Sequence, residues 1–353
     1  MSFEYIPGPV CLSLKWVLER PIQPLPVPIL AVLCGGWSYG LIPYCGPGTR
    51  KALWDNEQAF LNALSSHLNG QGIYTLRLIS RENGSVPDDS TLTQGAGHDG
   101  VLLALRDIEG PVIWTPDHMV FIGHGMGSYS CCQLASYGIR PGGYIFAGGI
   151  YSDLEVILSQ KYLLPIELQK KQGSDEQSVV PDSLSLLISE NMGAILQAIR
   201  KKRSRIQLQA LNEKIEIRLN QDLYSGDETP RTMFRYITSP TLVIHGSSDL
   251  DVTVWNATSI EQVVRKNVAT PERIILEDRD HWFRMVPGSI GRHMKDRVSG
   301  ASFFYEQDER FLRECSSFIR RIYGVHEAQQ EALKRGSHLG HDHIRKRVPK
   351  ESG

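Results

Sequence analysis

The sequence predicts an α/β protein: a mostly parallel central sheet flanked by helices, interrupted by a long, largely helical stretch. Three observations predict this. Short apolar runs that end in glycines alternate with stretches of helical spacing. One such run, Val120-Phe121-Ile122, leads straight into Gly123-His124-Gly125-Met126-Gly127 and then a helix-like stretch, Ser128 to Tyr137. The alternation stops between Ile150 and about Tyr236 and resumes afterwards.

Taken in order, Cys11 to Leu18 mixes apolar and polar residues as a strand does, and Pro21, Pro24, Pro26 and Pro28 make a stiff connection to the next element. Pro28 to Cys34 is a short apolar run ending in Gly35-Gly36, the pattern of a strand buried on both faces. Lys51 to Leu68 carries Leu53, Trp54, Phe60, Leu61 and Leu64 at helical spacing, and Asn69 to Gly72 stops it. A strand is expected over Ile73 to Ile79, turns over Gly84 to Gly97, and a helix over Asp99 to Leu105. Met119 to Ile122 and Tyr144 to Ala147 are the next strands, the latter ending in Gly148-Gly149.

The interval from Ile150 to about Tyr236 is long, charged and helical in pattern, with no clear buried strand. Its basic run, Arg200 to Arg205, reads as a solvated helix face rather than a localisation patch. Pro240 to Ile244 then restores the strand pattern and runs into His245-Gly246-Ser247-Ser248-Asp249. Ala257 to Val264 is expected to be helical, and Arg273 to Leu276 is the last strand. Asp308 to Tyr323 places Phe311, Leu312, Cys315, Phe318, Ile319 and Ile322 on one helical face. From Val325 the chain is polar, and disorder is expected; His338, His341 and His343 lie there, without a core that would hold a metal. The divisions are therefore 1–149, an α/β part with the glycine turn; 150–236, the helical insertion; 237–324, the second α/β part; and 325–353, the tail.

Composition narrows the function. A net charge of −1 gives no general attraction to nucleic acid or an anionic membrane, so neither is an expected partner. The six cysteines show no disulfide framework and no paired zinc-ligand spacing. The first ten residues lack a basic start and an apolar run, so no signal peptide is expected. The apolar stretch Val27 to Leu33 is too short to span a bilayer. A cytoplasmic protein with a small-molecule substrate and no metal or other cofactor is expected.

The turn at Gly123 to Gly127 resembles the nucleophile elbow of the α/β-hydrolase superfamily, G-x-S-x-G. A glycine-rich turn by itself would equally suit a phosphate cradle. Two later segments favour the elbow. His245-Gly246-x-x-Asp249 at a strand end resembles the segment carrying the triad acid, and His281, after the last strand, resembles the catalytic histidine. The order elbow, acid, histidine is the superfamily's. The resemblance covers roughly Leu12 to Gly324; it implies that the insertion at 150–236 is similar to the helical cap of such chains, which is its least specified part.

One position departs from the pattern: the nucleophile's place is taken by Gly125. The resemblance then implies His281 as acid–base, Asp249 as its orienting acid, and a backbone oxyanion hole from Met126 and the Gly36-Trp37 turn. Asp251, Asp278 and Asp280 compete for the acid role, and Asp249 is preferred by motif position. His124 and Ser38 are expected at the pocket. Ser128 and Ser130 are expected to point away from it.

These residues imply an enzyme that acts on a small ester, lactone or carbonyl compound without a serine nucleophile, as in a tailoring step of specialised metabolism. Two alternatives stay open. One is a hydrolase fold that binds a ligand without turnover. The other is an ordinary serine hydrolase, altered at position 125 or using Ser38 of the second G-x-S-x-G string, Gly36 to Gly40.

Overall fold

A computed structural model describes residues 14–35, 47–80, 98–108, 114–163, 183–201, 203, 205–210, 213–218, 229–268, 270–286, 288, 292–293, 296 and 306–324. The chain has β1 (Leu14–Glu19), β2 (Leu30–Cys34), α1 (Pro47–Gly70), β3 (Tyr74–Ser80), α2 (His98–Asp107), β4 (Met119–His124), α3 (Gly127–Ser136) and β5 (Gly143–Ala147). The interval after β5 holds α4 (Leu154–Tyr162), α5 (Ser183–Glu190), α6 (Met192–Arg200), β6 (Arg205–Ala210), β7 (Glu213–Arg218) and the short α7 (Pro230–Met233). Then come β8 (Thr241–Gly246), α8 (Trp255–Val264), β9 (Glu272–Leu276) and α9 (Glu309–Ile322).

Seven strands form one sheet in the order β1-β3-β2-β4-β5-β8-β9. β1 is antiparallel to β3, and every other pairing is parallel. Every residue of β2, β4, β5 and β8 is buried. That is why these strands read as unbroken apolar runs: side chains alternate between two faces, and both faces are covered. Ala31, Leu33, Val120, Ile122, Leu242 and Ile244 pack against Phe60, Leu61 and Leu64 of α1 and Phe311, Phe318 and Ile319 of α9. Leu30, Val32, Phe121, Tyr144, Phe146 and Val243 face the other way, towards α3 and α8. Asp308 caps α9, its carboxylate accepting from Arg310 N–H at 2.8 Å.

The insert, expected to be largely helical with no clear buried strand, holds two short strands besides its helices. β6 and β7 pair antiparallel as a hairpin. The sequence carries the reason: Ile206-Gln207-Leu208-Gln209 alternates with period two, with Leu208 buried and both glutamines exposed. Ile157, Leu158, Ile188, Ile195 and Leu208 join the core beneath α3. The basic run is not one helix face either. Arg200 ends α6 and forms a two-bonded ion pair with Glu155 of α4, while Arg205 opens β6.

Parallel strands bring the C-terminal ends of β2, β4, β5 and β8 to one edge of the sheet. Such an edge, where strand order diverges, is where open α/β sheets place ligands. The turn at 123–127, Asp249 and His281 all gather there.

Candidate active site

β4 passes into α3 through Gly125, whose φ is +51°, in the left-handed region that side chains disfavour. Gly125 N–H donates to Ala147 O at 3.0 Å. The Gly125 carbonyl accepts from Ser128 N–H at 3.2 Å and from Ser128 Oγ–H at 2.6 Å. Close approach dictates the outer glycines. A Cβ on Gly123 would lie 2.6 Å from Ser128 Cα, and one on Gly127 would lie 1.9 Å from the Cys34 carbonyl oxygen. Ser128 is turned inward, its Oγ also accepting from Ile150 N–H at 3.1 Å.

Asp249 lies just beyond β8. Its Oδ1 accepts from Asp251 N–H and Val252 N–H, both at 2.8 Å. Its Oδ2 lies 2.7 Å from His281 Nδ1 and 3.3 Å from His245 Nε2. Burial works against the Asp249 charge, but the His281 imidazole and the His245 hydrogen bond outweigh it, holding the carboxyl well below the usual carboxylate range. A carboxylate held ionised accepts a hydrogen bond from Nδ1–H, which keeps the proton on Nδ1 and leaves His281 Nε2 as the basic nitrogen. Asp249, rather than its competitors, therefore meets the histidine. The Asp251 backbone contributes an N–H to Asp249, and Asp280 folds back on its own loop, accepting from Trp282 N–H and Arg284 N–H. Asp278 is a turn residue at φ +57°. Gly148 leaves room for the pair. At φ +56°, its Cβ would lie 3.2 Å from His281 Cε1 and Nδ1 and 3.6 Å from Asp249 Oδ2.

The chain has the α/β-hydrolase fold. The parallel order β2-β4-β5-β8-β9, the left-handed elbow residue and the Asp–His pair at the same sheet edge are together its signature. No family model and no curated protein sequence matches the chain. Solved structures of α/β-hydrolases are similar in outline. Proline iminopeptidase of Mycobacterium smegmatis is 12% identical, at 89% of this chain and 97% of its own, with a TM-score of 0.46. Est1E of Butyrivibrio proteoclasticus is 14% identical, at 82% and 95%, with a TM-score of 0.45. The α/β hydrolase GrgF of Penicillium sp. sh18 is 13% identical, at 88% and 99%, with a TM-score of 0.43.

Of the remaining expected site residues of this α/β-hydrolase fold, Gly36, Trp37 and Ser38 lie outside the described residues, as does the tail with His338, His341 and His343. Gly35, just before them, sits against the elbow: its carbonyl oxygen would be 2.9 Å from a Cβ on Gly127. The Met126 amide opens the turn into α3 at that point. His124 is buried beside His281, with both ring nitrogens engaged. Its Nε2 is 2.9 Å from the His281 carbonyl oxygen, and its Nδ1 is 3.3 Å from Glu57 Oε2. Strand alternation puts this side chain on the face of β4 that α1 covers, against Phe60.

Glu57 was missed by sequence reasoning. Its signal was visible, because Phe60, Leu61 and Leu64 lie three, four and seven residues on, so Glu57 is a carboxylate on the buried face of α1. Among the described residues, no group of three or more His, Cys, Asp or Glu is placed to hold a metal ion, and no helix is long and apolar enough to cross a membrane.

Proposed function

We propose that the chain is a hydrolase-like enzyme for a small organic ester, lactone or carbonyl compound, working without a serine nucleophile. One observation carries this reading: the buried His281 Nδ1–Asp249 Oδ2 contact at 2.7 Å, beside an elbow whose central residue keeps the left-handed conformation. Burying an ionised carboxylate costs several kcal/mol unless it is paired, and a protein that only binds a ligand has no need of the arrangement.

In the hydrolytic form, His281 Nε2 takes a proton from a bound water as its oxygen adds to the substrate carbonyl carbon. The carbonyl electron pair moves to oxygen, where Met126 N–H and a donor of the Gly36-Trp37 turn would stabilise it. Collapse breaks the bond to the leaving group, which recovers the proton from the imidazolium. With a carbon acid as substrate, the same base removes a C–H proton and the same donors hold the enolate, giving lyase, isomerase or cyclase chemistry. A tailoring step in specialised metabolism fits a modified, capped site of this kind. Gly125 itself favours a second reading, a ligand-binding relative that lost turnover. A third, a serine hydrolase using Ser38 or altered at position 125, makes a distinct prediction in the same assay.

The test is labelling with a fluorophosphonate probe, with the modified residue mapped. The expected result is no label in the unaltered chain and a label at position 125 in Gly125→Ser. A label on Ser38 in the unaltered chain would overturn the reading in favour of an ordinary serine hydrolase. No label in either protein would overturn it in favour of the binding protein.

A further inference from the structure

Behind His281 lies a second carboxylate–imidazole couple that the proposed chemistry does not use. His124 and Glu57 are both buried, at 1% and 2% exposure. The His281 carbonyl oxygen can only accept, so His124 Nε2 carries a proton and donates to it. His124 Nδ1 then faces both Glu57 oxygens, at 3.4 and 3.3 Å. Two acceptors on two ring nitrogens require one proton more than a neutral imidazole holds. The couple is therefore either an imidazolium with a carboxylate or an imidazole with a carboxylic acid, and its net charge is zero in both forms. Burial opposes a charged His124, but Glu57 outweighs it and raises the affinity of the ring for its proton.

Its position is what matters. His124 directly precedes Gly125, so its side chain ties the elbow to the His281 backbone through one hydrogen bond. Its ring is boxed by Phe60, His281 and Trp282, with centroids at 4.3, 4.6 and 4.9 Å. Glu57 Oε1 would lie 2.8 Å from a Cβ on Gly35, the residue that leads into the turn expected to complete the oxyanion hole. The loop carrying His281 also needs holding. Asp278 and Phe283, on either side of it, both sit at φ +57°, a conformation that persists only where its surroundings enforce it.

We infer that Glu57 and His124 are positioning residues that lock His281 in register with position 125 and with the entry to the oxyanion turn. This rests on the proposed function in treating His281 as the acid–base. An error of about 1 Å in such a constellation is enough to lose about 100-fold in rate.

The test places second substitutions in Gly125→Ser and separates the maximal labelling rate from the apparent affinity for the fluorophosphonate. His124→Phe keeps the stacked ring and removes the donor; Glu57→Leu removes the carboxylate. Each is expected to lower the maximal rate about 10–100-fold while leaving probe affinity within about twofold. Glu57→Gln is expected to recover most of the loss, because its amide N–H can donate to Nδ1 and keep the proton on Nε2. Unchanged maximal rates in cooperatively folded His124→Phe and Glu57→Leu would overturn the inference.

If Gly125→Ser takes no label, the functional reading fails and a second measurement still decides this one. The downfield Nδ1 proton of His281 in nuclear magnetic resonance spectra should be lost or displaced by His124→Phe and Glu57→Leu and restored by Glu57→Gln. Its persistence unchanged in all three would overturn the couple's role. Should the first two variants not fold, ring 15N shifts of His124 in the unaltered protein decide: an unprotonated Nε2 would overturn the inference, and a protonated one supports it.

Discussion

Gly148→Ala probes how tightly the histidine is held. Two effects oppose it. At φ +56°, an L side chain costs about 1–2 kcal/mol in backbone strain. The new Cβ would also sit 3.2 Å from His281 Cε1 and Nδ1, a few tenths of an ångström inside ordinary contact. The ring cannot yield towards Asp249, which already meets Nδ1 at 2.7 Å. Overpacking of this kind costs about 1–3 kcal/mol. Gly324→Ala supplies the control, since Gly324 has φ +64° and its Cβ would meet nothing within 4 Å. It should show the strain alone, less the small gain from restricting the unfolded chain. Denaturant unfolding of the two variants should therefore differ by about 1–3 kcal/mol, with Gly148→Ala the less stable. In the Gly125→Ser background, Gly148→Ala should also slow fluorophosphonate labelling, and Gly324→Ala should not. Equal destabilisation by the two alanines, with labelling unaffected by either, would refute the claim that His281 is confined between residues 148 and 249.

Other perturbations test the neighbouring contacts and the core. Asp249→Asn in Gly125→Ser should cut the labelling rate about 10³–10⁴-fold, because the amide no longer fixes the proton on His281 Nδ1; a loss under about tenfold would count against the pair. Asp249 has a folded-state pKa below its unfolded one, so its stabilisation is complete above about pH 4 and is lost as pH falls towards the folded value. The unfolding free energies of the unaltered protein and Asp249→Asn should thus converge on acidification. His124 has the opposite sign: its proton affinity is raised on folding, so its contribution is full below about pH 6.5 and fades as pH rises through the folded pKa. Unfolding midpoints of the unaltered protein and His124→Phe should therefore approach each other as pH rises from neutrality. Phe318→Ala, at a side chain only 1% exposed between α9 and the sheet, should cost about 3–5 kcal/mol in chemical denaturation.

Much of the fold was legible because burial on both faces leaves a simple trace. β2, β4, β5 and β8 are unbroken apolar runs, and α9 alternates its apolar and charged faces with helical period. Gly123 and Gly127 were legible as an elbow because sterics at a strand-to-helix turn permit nothing larger. The β6–β7 hairpin was not, since its strands are short and interleave charged and amide side chains with apolar ones, so a two-residue period is easily lost in a helical stretch. The antiparallel pairing of β1 was not legible either, because strand direction leaves no mark on the side-chain pattern.

The sequence by itself determined the residue types at the site, their chain order and the strand ends that carry them, because backbone sterics and hydrophobic period are local. Tertiary structure alone decided which of those residues meet. Asp249 and Asp251 are two positions apart in one turn, and only the fold of that turn aims the first at His281 and leaves the second contributing an amide. Glu57 reaches His124 across 67 positions, and His124 reaches the His281 carbonyl across 157. Contacts at such separations depend on how helices close over a sheet, which no local pattern encodes.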